Sequence, residues 1–176
     1  MAPTAIPSIA CIGDNPLHVA LFPPHDKAEV DMLFVLNSSL DIFDLRARAD
    51  TLDQDLGLLH PIDERLAAYG WLTNTGIKFI IVVDMLGRPV EDEEALPGGT
   101  WPVYGLRDAA LKPAFRAVHT AYIHLLQNGF YTPPDLRPVQ LANTSTDGSR
   151  AQIKSRRFER ELRRIGQTWY PGITSL

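Results

Sequence analysis

Four β-branched residues in a row, Ile80-Ile81-Val82-Val83, constrain this chain more than any other feature. A half-exposed strand alternates apolar and polar residues, so an unbroken run implies burial on both faces or a central place in a sheet. The run sits in a strand predicted from Ile77 to Asp84, and a second strand is predicted from Leu66 to Thr73. Asn74-Thr75-Gly76 joins them with the Asn and Gly that a tight reversal needs.

The remaining elements follow from punctuation and period. Ser8 to Gly13 and Leu17 to Phe22 flank the turn residues Asp14-Asn15-Pro16 and read as a β-hairpin. From Asp26 to about Ala49 there is neither Gly nor Pro and apolar residues recur at helical spacing, which predicts a long helix. Gly57 to Pro61 reads as a short edge strand. Helical period resumes from about Leu106 to Gln127, where Leu111, Ala114, Phe115, Val118, Ala121, Tyr122, Leu125 and Leu126 share one arc. Pro113 is tolerated only in a first turn, so the regular helix starts near Leu111. A last helix is predicted from about Ser149 to Ile165, with Phe158, Leu162 and Ile165 on one side and a stop at Gly166.

Two stretches cannot propagate helix or strand. Gly87 to Gly105 carries the acids Glu91 to Glu94 and then Pro97-Gly98-Gly99, and the residues after Tyr131 are rich in Pro, Ser, Thr and Asn up to Ser149. Both read as loops. The order of elements, strands with one helix among them and then two helices, predicts an α+β fold with an antiparallel sheet flanked by helices. A length of 176 residues suits one domain, 1–176.

Charge and composition exclude several function classes. The segment Ile77 to Leu86 is cut by Lys78 and Asp84, so no span is long and apolar enough for a bilayer, and Met1 to Ser8 lacks the layout of a secretory signal. One cysteine, Cys11, permits neither an intrachain disulfide nor a cysteine-based zinc site. A cytoplasmic location is expected. The net charge of −4 is uneven: from Arg150 onward seven Lys or Arg face two Glu, leaving the rest of the chain acidic. A basic tail of this kind can contact nucleic acid or an anionic membrane surface, but it is also the ordinary composition of a solvated helix face.

Catalytic patterns are missing. Ser38 and Ser39 sit in a predicted helix without the glycines of a nucleophile elbow, and Gly98-Gly99 is followed by Thr-Trp-Pro where a phosphate loop needs Lys. His119 and His124 are five apart and diverge on a helix, so no metal site is expected. Glu91 to Glu94 lack the spaced ligands of a calcium loop. Phe158, Trp169 and Tyr170 lie near arginines, but no nucleic-acid module accompanies them, and no nucleic-acid partner and no cofactor are expected.

The long first helix has two apolar stripes. Taking Leu33 as zero, Met32, Leu36, Leu40, Phe43 and Ala47 fall within about 100° on one side. Phe34, Val35, Ile42, Leu45 and Ala49 form a second arc, with Asn37, Asp41, Asp44 and Arg48 on one polar strip between them and Ser39 and Arg46 on the other. A helix on one sheet needs one stripe. The second is either covered by the chain's own C-terminal segments or is a partner groove, formed by Phe34, Val35, Ile42 and Leu45 and rimmed by Asp41 and Asp44.

Several segments taken together resemble the small longin subunits of the TRAPP vesicle-tethering complex, in their sedlin-like branch. They are Asn37-Ser-Ser-Leu-Asp-Ile-Phe-Asp44, Leu56-Gly-Leu-Leu-His-Pro61, Tyr69-Gly-Trp-Leu-Thr-Asn74 with the strand to Asp84, Asn128-Gly-Phe-Tyr-Thr-Pro133, and Ile153-Lys-Ser-Arg-Arg-Phe158. The resemblance leaves out two insertions, 87–106 and 136–151, and departs from the family's Asn-Pro-Phe-Tyr at Gly129. It implies a longin fold, a five-stranded antiparallel sheet with one helix on one face and two on the other. It further implies a non-catalytic assembly subunit in ER-to-Golgi and intra-Golgi transport, with other TRAPP subunits as partners and a Rab GTPase engaged only through the whole complex. Membrane association would be peripheral, at Golgi and ER-Golgi membranes, and Asp41 falls at a position the family uses for partner contact. The alternatives are another longin adaptor, such as a SNARE regulatory domain or coat subunit, and a small enzyme on a similar scaffold. A SNARE would add a heptad-patterned helix and an anchor, and an enzyme would show a pocket of converging polar groups.

Overall fold

The computed structural model describes residues 5–13, 16–23, 25, 29–47, 54–85, 106, 108–131 and 153–176. The elements run β1 (Ser8–Ile12), β2 (Pro16–Leu21), α1 (Glu29–Ala47), β3 (Asp55–Pro61), β4 (Leu66–Leu72), β5 (Lys78–Asp84), a 3-10 turn (Asp108–Leu111), α2 (Lys112–Leu126) and α3 (Arg156–Thr168). The two expected insertions, 87–106 and 136–151, lie outside the described residues apart from Leu106.

Five antiparallel strands form one sheet in the order β2-β1-β5-β4-β3. The four-residue apolar run therefore lies on the central strand. Successive side chains of a strand point to opposite faces, and the run divides accordingly between two cores. Phe79, Ile81 and Val83 join Ile9, Cys11, Tyr69 and Trp71 beneath α2 and α3, which supply Phe115, Val118, Tyr122, Phe158, Leu162 and Ile165. Ile80 and Val82 join Ala10, Ile12 and Ala68 beneath α1, which supplies Met32, Val35, Leu36 and Phe43. Each such large side chain withdrawn from water contributes about 1.5–3 kcal/mol.

Two glycines set how closely the layers approach. A Cβ on Gly70 in β4 would lie 2.8 Å from Phe43 Cε2, so the bare backbone is what lets Phe43 of α1 descend onto the sheet. A Cβ on Gly166 in α3 would lie 2.5 Å from Phe22 Cζ. This corrects the expected stop at Gly166, because α3 continues to Thr168 and the glycine makes room for an aromatic ring. The start of α3 is also later than Ser149. Ile153 to Ser155 are not helical, and the Ser155 hydroxyl caps the helix by accepting from Phe158 N–H at 3.4 Å.

The buried carboxylate of Asp84, at the end of β5, is paired. Arg65 donates to both oxygens of the buried Asp84, at 2.6 Å from Nη2, and this carboxylate raises the guanidinium's pKa. The Cys11 thiol is fully buried, and burial pushes its pKa up, away from reactive thiolate. His18 of β2 meets Phe158 of α3 edge-on at 5.5 Å. Burial lowers its pKa, opposed by Glu159 and by a hydrogen bond to the Ile153 backbone. Among the described residues no helix is long and apolar enough to cross a membrane.

Candidate partner interface

Among the described elements α1 is the one helix packed on its side of the sheet, and its rotation decides which side chains remain available. Met32, Val35, Leu36, Ser39 and Phe43 are buried and fall within about 100° of arc. The buried arc thus passes through the strip that the sequence marked as polar. Ser39 tolerates this position because its hydroxyl donates to the Val35 carbonyl at 2.7 Å, four residues back, and brings no unpaired group into the core.

Arg46, on the same strip, reaches β3. Its guanidinium donates to the carbonyls of Leu56 at 2.9 Å and Leu59 at 3.4 Å. Both residues fall where the β3–β4 register slips, between Asp55 and Gly57 and between Leu58 and His60. A bulged residue is left without a ladder partner, so one side chain satisfies two carbonyls that the sheet does not.

The six residues proposed from sequence for partner contact separate under this rotation. Val35 is 9% exposed and belongs to the core, and Ile42 is half-buried against it. Phe34 and Leu45 face outward at 75% and 67% exposure. Asp41 is exposed between them. Asp44 is exposed too, but its carboxylate accepts from Lys78 Nζ of β5 at 2.6 Å, the same ammonium that stands 5.7 Å over the Phe43 ring. Val30, 80% exposed, continues the outward row one turn before Phe34. The sequence reading passed over Val30, although its spacing of four from Phe34 was a usable signal. Among the described residues the C-terminal segment does not cover this row, because Ile153, Phe158, Leu162, Ile165 and Trp169 are buried in the other core.

The outward row is therefore Val30, Phe34, Asn37, Asp41 and Leu45, within about 80° of arc and about four turns long. It is an apolar strip with one carboxylate near its middle, offering contact area and a single charged anchor but no converging acid–base pair. Among the described residues no cluster of His, Cys, Asp and Glu is arranged to hold a metal ion.

A family model described as Sedlin matches residues 9–168. The chain belongs to the sedlin family. Relatives of this sedlin-family chain are trafficking protein particle complex subunit 2-like proteins. The one from Dictyostelium discoideum is 31% identical over 126 residues, covering 69% of this chain and 77% of its own length. That of Taeniopygia guttata is 29% identical over 144 residues, covering 78% and 90%. That of Bos taurus is 29% identical over 126 residues, covering 68% and 77%. The match takes in the whole of α1 and all but the first residue of the sheet that positions it.

Proposed function

We propose that this sedlin-family chain is a non-catalytic assembly subunit of a trafficking protein particle complex, held there through the outward row of α1. The family match across residues 9–168 carries this reading, and the exposed Phe34 and Leu45 support the place of contact. Aromatic side chains such as Phe34 are enriched at interfaces relative to the rest of a protein surface. The chain works in the cytoplasm at ER-Golgi and Golgi membranes, bound peripherally, and supports Rab activation by the whole complex without contributing chemistry.

The test is Asp41→Tyr, which removes the carboxylate of the row and adds bulk beside Phe34 and Leu45. Loss of a charge paired at an interface costs about 2–5 kcal/mol of binding, while an exposed substitution changes folding by only about 0.5 kcal/mol. The variant is expected to melt like the parent and to lose its co-purifying complex subunits. Retention of every subunit at native affinity removes the row from the interface. Nucleotide exchange on a Rab by this chain alone, at the rate of the full complex, overturns the non-catalytic assignment.

A further inference from the structure

The two helices on the other face enclose a cleft of about 680 Å³ that the α1 row does not reach. Its floor is apolar, formed by Ala121 and Leu125 of α2 and Phe158 of α3, all buried. Its walls are basic. Arg116 and His124 stand on α2, Arg157 and Arg164 on α3, and all four are exposed. Glu161 is the one carboxylate side chain among the described lining residues, and it accepts from Arg164 Nε at 2.9 Å.

The three guanidinium groups of Arg116, Arg157 and Arg164 make the site basic in a chain whose net charge is −4. Like charges gathered along two packed helices repel, and the repulsion is relieved when an anion enters. Guanidinium groups also match carboxylates in shape, each offering two parallel N–H donors.

We propose that the α2–α3 cleft docks an acidic peptide segment of a partner protein, laying carboxylates against Arg157 and Arg164 and an apolar side chain on Phe158 and Leu125. Arg157 and Arg164 are seven residues apart on α3, about 10 Å along the axis. Two acidic residues three apart in a polyproline-II peptide share one face and span about 9 Å. A membrane surface fits less well, since a flat layer of headgroups meets the arginine heads and leaves the recessed floor empty.

A displayed library of random 12-residue peptides selected on the folded chain tests this. Enriched sequences should carry two acidic residues flanking an apolar one. The affinity of the best enriched peptide should fall about tenfold or more in Arg157→Glu/Arg164→Glu, in step with the loss of a charged contact pair. It should hold in Arg160→Glu/Arg163→Glu, which makes the same charge change on α3 outside the cleft. Melting curves of both double variants should match the parent, because all four arginines are exposed. The proposal is overturned if selection yields no acidic consensus, or if the two double variants lose affinity equally, which marks a diffuse field. It is overturned equally if vesicles of phosphatidylserine bind through Arg157 and Arg164 while no selected peptide does.

Discussion

Among the described elements α2 and α3 lean on each other as well as on the strands, whereas α1 packs by itself against the opposite core. The paired helices shield one another's flanks, so Phe115, Tyr122, Phe158 and Leu162 all disappear, and the outer side of α3 is left to Arg156, Arg160, Arg163 and Gln167. The solitary helix can hide only the arc that touches the strands, yet its outer side still holds Val30, Phe34 and Leu45. The difference lies in arrangement: on α1 the exposed apolar side chains line up in one row, whereas Ile123 and Leu126 of α2 are only partly exposed and Phe130 stands beyond the end of that helix.

The comparison breaks most severely at the paired-helix core. Phe115 stacks on Trp71 with ring centroids 5.7 Å apart, and Phe115→Ala should cost about 3–5 kcal/mol in urea unfolding, more than any substitution on the outer row of α1. The two glycine contacts give a finer test. Gly166→Val and Gly70→Val both overpack a buried ring and should cost about 1–3 kcal/mol. The Gly166 variant should cost more, because Phe22 is enclosed by α3 and the sheet while α1 can lift on its open side. Equal costs would show α1 to be held as firmly as the pair.

Smaller still are the stability effects on the row itself. Phe34→Ser and Leu45→Ser should each shift unfolding by about 0.5 kcal/mol or less while abolishing co-purification of complex subunits. The last difference is in acid. The lowered pKa of His18 means the unfolded chain takes up its proton first, so His18 stabilises the fold above its unfolded value of 6.5 and this contribution is lost as pH falls through the folded value. Thermal melts between pH 7.5 and 5 should decline toward acid, and His18→Gln should flatten the decline.

The β4–β5 pair was legible because an unbroken β-branched run and an Asn-Thr-Gly reversal admit few other arrangements, and the α2 face was legible because its apolar residues keep a single period. The rotation of α1 was not. Angular counting treats Ser39 as polar, but its hydroxyl is satisfied by its own helix, which turns that position into a core residue and swings Val35 inward with it. The extent of α3 was misjudged at both ends, since Gly166 serves Phe22 across space and nothing in the linear pattern records that contact. The cleft was illegible for the same reason: Arg116 and Arg157 stand in one wall only once two helices have packed.

Arg46 has a consequence for the life of the chain before assembly. Its guanidinium occupies the carbonyls freed at both irregularities of β3, a strand at the margin of the sheet. Margins of this kind recruit foreign strands, and irregular, plugged ones recruit them poorly. With the guanidinium in place, β3 is a poor template for a strand from another copy.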